Sequence, residues 1–97
     1  MEIEHNRPHH RFMVRLLEGD AILAYRMTPS GAMDIRSTYV PPRARGRGIG
    51  GALVQAALTY ARANGQRVIP TCWYVSTWVA EHPEFQSVLI AGALGSA

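Results

Sequence analysis

Alternating apolar and polar side chains in the first forty residues predict three short β-strands. The strands cover Arg11–Leu17, where the alternation is imperfect, Ala21–Met27 and Ala32–Val40. Residues typical of tight turns separate them, in Glu18–Asp20 and in Thr28–Gly31. Strands joined by such short turns form an antiparallel meander.

The apolar spacing becomes helical after Pro41-Pro42, which ends the third strand. Ile49–Ala63 is apolar nearly all round, and its polar side chains form one stripe. The stripe consists of Gln55, Thr59 and Arg62. This pattern predicts a helix that lies on a sheet with little exposed surface, and Asn64-Gly65 predicts its left-handed end.

Two more elements follow this helix. Gln66–Thr71 predicts a fourth strand, and Pro70 near its end implies a sheet edge or a splayed position, because proline has no N–H for a ladder bond. Val75–His82 predicts a short helix closed by Pro83. The β-β-β-α-β-α order indicates the α/β (α+β) class, in which the antiparallel meander joins a parallel βαβ unit through a right-handed crossover.

The length of the chain predicts one domain. Its 97 residues suffice for a single core, and the periodic pattern places that domain at residues 11–90. Residues 1–10 lack hydrophobic periodicity and are predicted to be a flexible N-terminal tail, and the small residues at 91–97 a flexible C-terminal tail. The histidines of the first segment (His5, His9 and His10) lack the spacing of a helical metal site, so we expect no bound metal.

The composition limits which cellular compartment and which kinds of partner we expect for this protein. The chain contains no run of eighteen apolar residues, and Met1–Arg11 lacks the apolar core of a signal peptide, so we expect a cytoplasmic protein without a membrane partner. The lone cysteine, Cys72, excludes an intrachain disulfide and a multi-cysteine zinc site. The net charge is +3 and all ten basic residues are arginine, which fits a phosphate-bearing partner or, alternatively, only a GC-rich genome.

The strongest chemical signal is the loop Pro41–Gly51, between the third strand and the first helix. Its glycines allow a tight turn with several N–H groups in one hollow, and the helix dipole adds positive potential for a phosphate. Arginines occupy alternate positions around this hollow, at Arg43, Arg45 and Arg47. A flexible basic loop without a ligand is the alternative interpretation.

Two other phosphate-binding loops fit this segment less well. It lacks the Gly-Lys-Ser/Thr ending of P-loop NTPases. Gly46-x-Gly48-x-x-Gly51 matches the dinucleotide-binding pattern, but the acidic residue expected about twenty positions later is missing. A Rossmann fold also needs a longer parallel sheet than this chain can build.

The hexapeptide Arg43–Gly48 resembles the acetyl-CoA loop of the GNAT superfamily, Arg/Gln-x-x-Gly-x-Gly/Ala. Together with Thr38–Pro41, Pro70–Val75 and His82–Glu84, it resembles, over about Asp20–Leu89, the small stand-alone GNAT proteins that carry a characteristic cysteine. The resemblance implies a minimal GNAT-like fold and binding of acetyl-CoA or CoA as cosubstrate. It also implies transfer of acetyl to an unidentified amine, either directly or through an acetyl-cysteine intermediate.

The resemblance assigns the loop and its neighbours to the cosubstrate. The expected CoA-binding residues are Val40, Arg43, Arg45, Gly46, Arg47, Gly48, Ile49, Gly50 and Cys72. One position departs from the family, because Ser37 stands where its members have histidine. Any proton transfer that this histidine performs is therefore in question here.

Cys72 and Tyr74 are the expected catalytic residues. Cys72 follows a predicted parallel strand and precedes a short helix, whose dipole favours a thiolate nucleophile. Alternatively, Cys72 only lines the cofactor site or fills the core. Tyr74 could donate a proton to the leaving thiolate, or pack with Trp73 and Trp78 over the core or cofactor. His82 is better explained as a side chain whose charge favours the C-terminal end of the helix than as a general base.

Three functions remain open from the sequence. The first is an acetyl-CoA-dependent N-acetyltransferase, and the second is a CoA-binding module without turnover. The third is an arginine-rich nucleic-acid-binding protein. Nucleic acid is the least favoured partner, because the arginines are dispersed along the chain and are not interleaved with aromatic residues.

Overall fold

The computed structural model describes residues 1–90, which form a five-stranded sheet and two helices. In chain order the elements are β1 (Glu4–Asn6), β2 (Arg11–Val14), β3 (Ala21–Met27), β4 (Met33–Tyr39), α1 (Ile49–Ala63), β5 (Val68–Ile69) and α2 (Trp73–Ala80). Short 3-10 turns cover Pro42–Ala44 and Pro83–Val88. The predicted C-terminal tail at 91–97 lies outside the described residues.

The sheet follows the chain, with the strand order β1-β2-β3-β4-β5. Its first four strands are antiparallel and β5 is parallel to β4, so the predicted meander and parallel βαβ unit are confirmed. Strand β5 lies at the sheet edge and is only two residues long, shorter than the predicted Gln66–Thr71. Its pairing stops before Pro70, which cannot donate a ladder bond.

The prediction of a flexible N-terminal tail is wrong for Glu4–Asn6, which form β1 and pair with β2. His5 anchors this strand. Its ring stacks on Phe12 at 3.9 Å between centroids and meets Tyr60 edge-on at 4.5 Å. Its Nε2 is hydrogen-bonded to the Tyr25 hydroxyl at 2.6 Å. The hydrophobic pattern fails here because histidine counts as polar although its ring packs like an aromatic residue.

Helix α1 spans the predicted residues and covers β2, β3 and β4. Its inward side chains, such as Leu53 and Leu58, are fully buried against Leu23 and Ile35 of the sheet in one apolar cluster. Helix α2 begins two residues before the predicted start and joins the same cluster through Val75 and Val79. Burial of these aliphatic side chains supplies the main driving force for this layer of helices on a sheet. No helix within residues 1–90 has both the length and the apolar character needed to span a membrane.

A β-bulge in β4 changes which side chains face the helices. Ile35 pairs with Tyr25 and Ser37 pairs with Ala24, so Arg36 has no residue opposite it on β3. The extra residue shifts the alternation of side chains along the strand. As a result Thr38, opposite the fully buried Leu23, lies on the inner face.

Candidate active site

The loop before α1 turns on two glycines in the left-handed region. Gly46 has φ of 84° and Gly48 has φ of 77°. A Cβ built at either position would meet no atom within 4 Å, so space does not explain these glycines. Their backbone angles do, because L-residues with a side chain rarely adopt positive φ. Gly48 is also the N-cap of α1.

The N-terminus of α1 is open in the described structure. No side chain there caps the helix, and its first turn carries no acidic residue. The first intrahelical bond runs from the N–H of Ala52 to the carbonyl of Gly48 at 3.0 Å. The N–H groups of the preceding first-turn residues therefore lack a helical acceptor, and the dipole concentrates positive potential beside them.

A groove of about 530 Å³ connects this helix end with the N-terminus of α2. Residues from β4, the loop, α1 and α2 line it: Thr38, Tyr39, Val40, Ala44, Arg45, Gly46, Gly48, Ile49, Gly50, Cys72, Trp73 and Tyr74. One wall is the outer edge of β4. Strand β5 pairs with β4 only at Met33 and Asp34, and beyond the bond from Cys72 N–H to the Ile35 carbonyl that edge has no strand partner in residues 1–90.

Cys72 is held firmly at the inner part of this groove. It is the N-cap of α2, and its carbonyl accepts the N–H groups of Val75 and Ser76. Its thiol is 3.7 Å from the Thr38 hydroxyl, toward which it can donate a weak hydrogen bond. The thiol lines the groove while the residue is only 8% exposed. This is a fixed sulfur beside a space that a substrate can enter.

The family comparison agrees with this geometry. The family model described as GCN5-related N-acetyl-transferase matches residues 11–88. The chain belongs to the GCN5-related N-acetyltransferase family. This result confirms the GNAT resemblance and the α/β GNAT-like fold.

Vertebrate members of the family share about a third of their residues with this chain. It is 35% identical to Protein NATD1 of Homo sapiens over 85 residues, which cover 86% of this chain and 75% of the human protein. Protein NATD1 of Gallus gallus is also 35% identical over 85 residues, covering 86% and 77% of the two chains. Protein NATD1 of Danio rerio is 31% identical over 88 residues, covering 89% and 80%.

The groove suits the cosubstrate of this family. A pyrophosphate needs several N–H donors and positive potential, and the open α1 terminus provides both. The predicted residues Val40, Arg45, Gly46, Gly48, Ile49, Gly50, Cys72 and Tyr74 all line the groove. Arg45 is anchored by its Nε, which donates to the Val40 carbonyl at 2.9 Å.

The other two loop arginines, Arg43 and Arg47, do not line the groove. The Arg47 guanidinium pairs with Glu18 at 2.9 Å and donates to the Arg43 carbonyl at 3.3 Å. The pKa of Glu18 is lowered because its carboxylate accepts a hydrogen bond from the residue's own backbone N–H and another from Arg47. Arg43 lies beside Leu17 and Glu18. The 3-10 turn and the left-handed glycines direct Arg43 and Arg47 away from the groove that Arg45 lines, so the assignment of these two arginines to CoA stays a prediction.

The glycine pair at the start of α1 brings α2 close. A Cβ on Gly50 would lie 2.9 Å from the Tyr74 hydroxyl oxygen. A Cβ on Gly51 would lie 3.1 Å from the Trp78 indole nitrogen. A residue with a side chain would be crowded at these two positions, because aromatic side chains of α2 rest on the first turn of α1. Tyr74 thereby presents its phenol beside the open helix end.

Four residues line the groove although the sequence did not predict them as site residues: Thr38, Tyr39, Ala44 and Trp73. Of these, Thr38 contacts the Cys72 thiol. The only sequence signal for Thr38 was its place in the Thr38–Pro41 segment that resembles the family. The bulge that turns it inward leaves no trace in the alternation of apolar and polar residues. Ser37, next to it, is exposed and outside the groove lining. His82 also lies outside, where its ring stacks on Trp78 at 3.7 Å and its Nδ1 is 2.7 Å from the Trp78 carbonyl oxygen.

Proposed function

We propose that this protein is an acetyl-CoA-dependent N-acetyltransferase that holds the CoA pyrophosphate at the N-terminus of α1 and the acetyl group beside Cys72. The observation that carries the proposal is the uncapped, glycine-started helix, because it opens onto the same groove as the thiol. One end of the groove suits phosphate and the other carries a nucleophile. Acetyl-CoA has a pyrophosphate and a thioester joined by an extended linker.

The pyrophosphate and the pantetheine chain of the cosubstrate bind to different parts of the groove. The N–H groups around Gly48–Gly50 and the guanidinium of Arg45 bind the pyrophosphate. The free outer edge of β4 near Thr38–Val40 offers backbone groups to the amides of the extended pantetheine chain, much as a sheet edge binds an added strand. The whole cosubstrate is then oriented along one wall of the groove.

Cys72 serves as an acetyl carrier in this proposal. Its sulfur attacks the thioester carbonyl carbon, a bond from sulfur to carbon forms, and the bond from that carbon to the CoA sulfur breaks. The thiol proton of Cys72 ends on the CoA sulfur, with the phenol of Tyr74 as relay. An amine nitrogen then attacks the carbonyl carbon of acetyl-Cys72: the bond from nitrogen to carbon forms, the bond from carbon to the Cys72 sulfur breaks, and one amine proton returns to that sulfur. The Thr38 hydroxyl positions the thiol for both steps.

A CoA-binding module without turnover is the second candidate. It is favoured by one observation: the groove lining, as far as residues 1–90 describe it, contains neither a carboxylate nor an imidazole. A direct attack of an amine on acetyl-CoA usually needs such a base. In either route the departing thiolate takes the proton that a neutral amine loses, so the missing base matters most for amines that are protonated at neutral pH.

Incubation with acetyl-CoA in the absence of an acceptor tests the proposal. We expect one acetyl adduct per chain by intact mass, located on Cys72, because exchange between two thioesters is nearly balanced in energy. Cys72→Ala should lose the adduct and most turnover while its CoA affinity stays within a few-fold. Cys72→Ser should not restore turnover, since a hydroxyl is a weak nucleophile without an activating base.

Other outcomes separate the alternatives. Full turnover by Cys72→Ala would show direct transfer, with Cys72 as part of the wall. Binding of CoA with neither adduct nor turnover toward a panel of amines would show the binding module.

A further inference from the structure

An exposed tryptophan stands at the mouth of the groove. Trp73 is the first residue of α2 and follows Cys72 directly, and it lines the groove although it is 75% exposed. Its ring meets that of Tyr74 edge-on, with 6.0 Å between centroids and 83° between planes. The edge contact leaves a face of the indole available to a flat partner. Aromatic side chains commonly line the pockets that bind small molecules.

The charges around this tryptophan do not suit a cationic acceptor. Arg45 is the only charged residue among those that line the groove within residues 1–90. Residues 91–97 add no acidic or histidine side chain. The carboxylate of Asp34 is already engaged by Arg36 at 3.3 Å and by the Thr71 hydroxyl. The groove lining within residues 1–90 thus holds no carboxylate to pair with an ammonium group, and no carboxylate or imidazole to remove its proton.

Without a carboxylate or an imidazole in the described groove lining, the protonation state of the amine strongly affects whether it can react. An alkylamine with a pKa of about 10.4 is neutral in only roughly one molecule in 2,500 at pH 7. An aromatic amine is neutral at that pH because its lone pair is delocalised into the ring. Its nitrogen can attack acetyl-Cys72 directly: the bond from nitrogen to carbon forms, the bond from carbon to sulfur breaks, and one proton passes from nitrogen to the Cys72 sulfur.

We infer that the acceptor is an uncharged aromatic amine whose ring stacks on Trp73 and whose nitrogen reaches the acetyl group on Cys72. The inference rests on the proposed acetyltransferase function. Its geometric basis is the adjacency of Trp73 and Cys72 at the start of α2, in a groove where Arg45 is the only charged residue that the described part of the chain contributes.

A matched pair of acceptors tests the inference on the unmodified protein. 4-Methoxyaniline and 4-methoxybenzylamine share the ring, but only the second is protonated at neutral pH. We expect kcat/KM at pH 7 to be at least about tenfold higher for the aniline, and the rate with the benzylamine to rise with pH toward its pKa. An equal or higher kcat/KM for the benzylamine at pH 7 would overturn the inference.

Variants of Trp73 test the stacking contact. Trp73→Ala should raise the KM for 4-methoxyaniline about three- to tenfold, as loss of an aromatic pair predicts, while the KM for acetyl-CoA changes little. Trp73→Phe should restore most of the loss. Leu17→Ala is the matched control, because Leu17 is fully exposed but lies outside this groove. An unchanged KM for the aniline in Trp73→Ala would overturn the stacking role.

Two further outcomes separate the acceptor class from the acetyltransferase function itself. Acetylation of Cys72 without transfer to 4-methoxyaniline would overturn only the acceptor class. Absence of both CoA binding and acetyl adduct would overturn the function itself and the inference with it.

Discussion

Thr38 reaches the thiol of Cys72 because a single residue, Arg36, is bulged out of β4. Without the bulge, the strict alternation of a strand would place positions 37 and 39 on the same face as Ile35, and Thr38 on the opposite face. With it, the Thr38 hydroxyl lies 3.7 Å from the Cys72 sulfur. One backbone irregularity thus selects which polar side chain accompanies the nucleophile, as bulges near functional sites often do.

Gly48 offers the sharpest test at the scale of a residue. Gly48→Ala should destabilise the fold by about 1 kcal/mol, because alanine is strained at φ of 77°. It should also weaken CoA binding by at least about tenfold, since relief of that strain rotates the N–H groups away from the phosphate. The measurement is CoA titration by calorimetry beside urea unfolding.

Gly31→Ala provides the matched control for this change. Gly31 has φ of 88° and, like Gly48, has open space around the added Cβ, but it does not line the groove. We expect a similar loss of stability with unchanged CoA affinity. Equal affinity losses in the two variants would mean that general destabilisation, not the loop, controls binding.

At the scale of elements, strand β1 depends on the neutral form of His5. Burial among Phe12, Tyr25 and Tyr60 lowers the pKa of His5, and the nearby positive charges of Arg7 and His10 lower it further. A histidine whose pKa is lower in the folded than in the unfolded state contributes stability above the unfolded value. That contribution is lost as the pH falls through the folded pKa.

Acidification should therefore weaken the wild-type fold more than a variant without this group. Between about pH 7.5 and about pH 5, we expect a larger drop in Tm for the wild type than for His5→Phe, which keeps an aromatic ring but cannot be protonated. Thermal unfolding monitored by circular dichroism measures both slopes. His9→Gln, on the exposed turn beside β1, should behave like the wild type. Identical slopes in wild type and His5→Phe would show that β1 does not respond to His5 protonation.

At the scale of the whole molecule, the ligand and the core are coupled. Helix α1 carries the open N-terminus at one end and buries Leu53 and Leu58 against the sheet along its length. Any ligand that binds this helix end only in the folded state must stabilise the core with it. The proposed cosubstrate should therefore act as a stabiliser of the entire fold.

CoA at about a hundred times its Kd should stabilise the fold by about 2.7 kcal/mol. For a chain of this size, that corresponds to an increase in Tm on the order of ten degrees. ADP, which contains the pyrophosphate but no pantetheine, should give a smaller increase, and Gly48→Ala should reduce the response to both. No increase in Tm at millimolar CoA would contradict the assignment of the groove.

The sequence by itself determined what depends on neighbours along the chain. Periodicity located α1 at Ile49–Ala63 and strand β3 at Ala21–Met27 with the bounds that the structure has. Proline and glycine signals marked the sheet edge near Pro70 and the tight turn before α1 at Gly46 and Gly48. These predictions succeed because turn angles, helix caps and side-chain alternation are local properties.

Only the tertiary structure decided which of these residues meet. It docked β1 through the ring of His5, turned Arg47 toward Glu18 and away from the groove, and brought Thr38 to Cys72. Each of these results depends on contacts between residues at least seven positions apart in sequence, or on a bulge that the spacing of residue types does not show. A pattern along one chain specifies the faces of its elements, whereas packing between elements determines how those faces are aligned and therefore where the chemistry can occur.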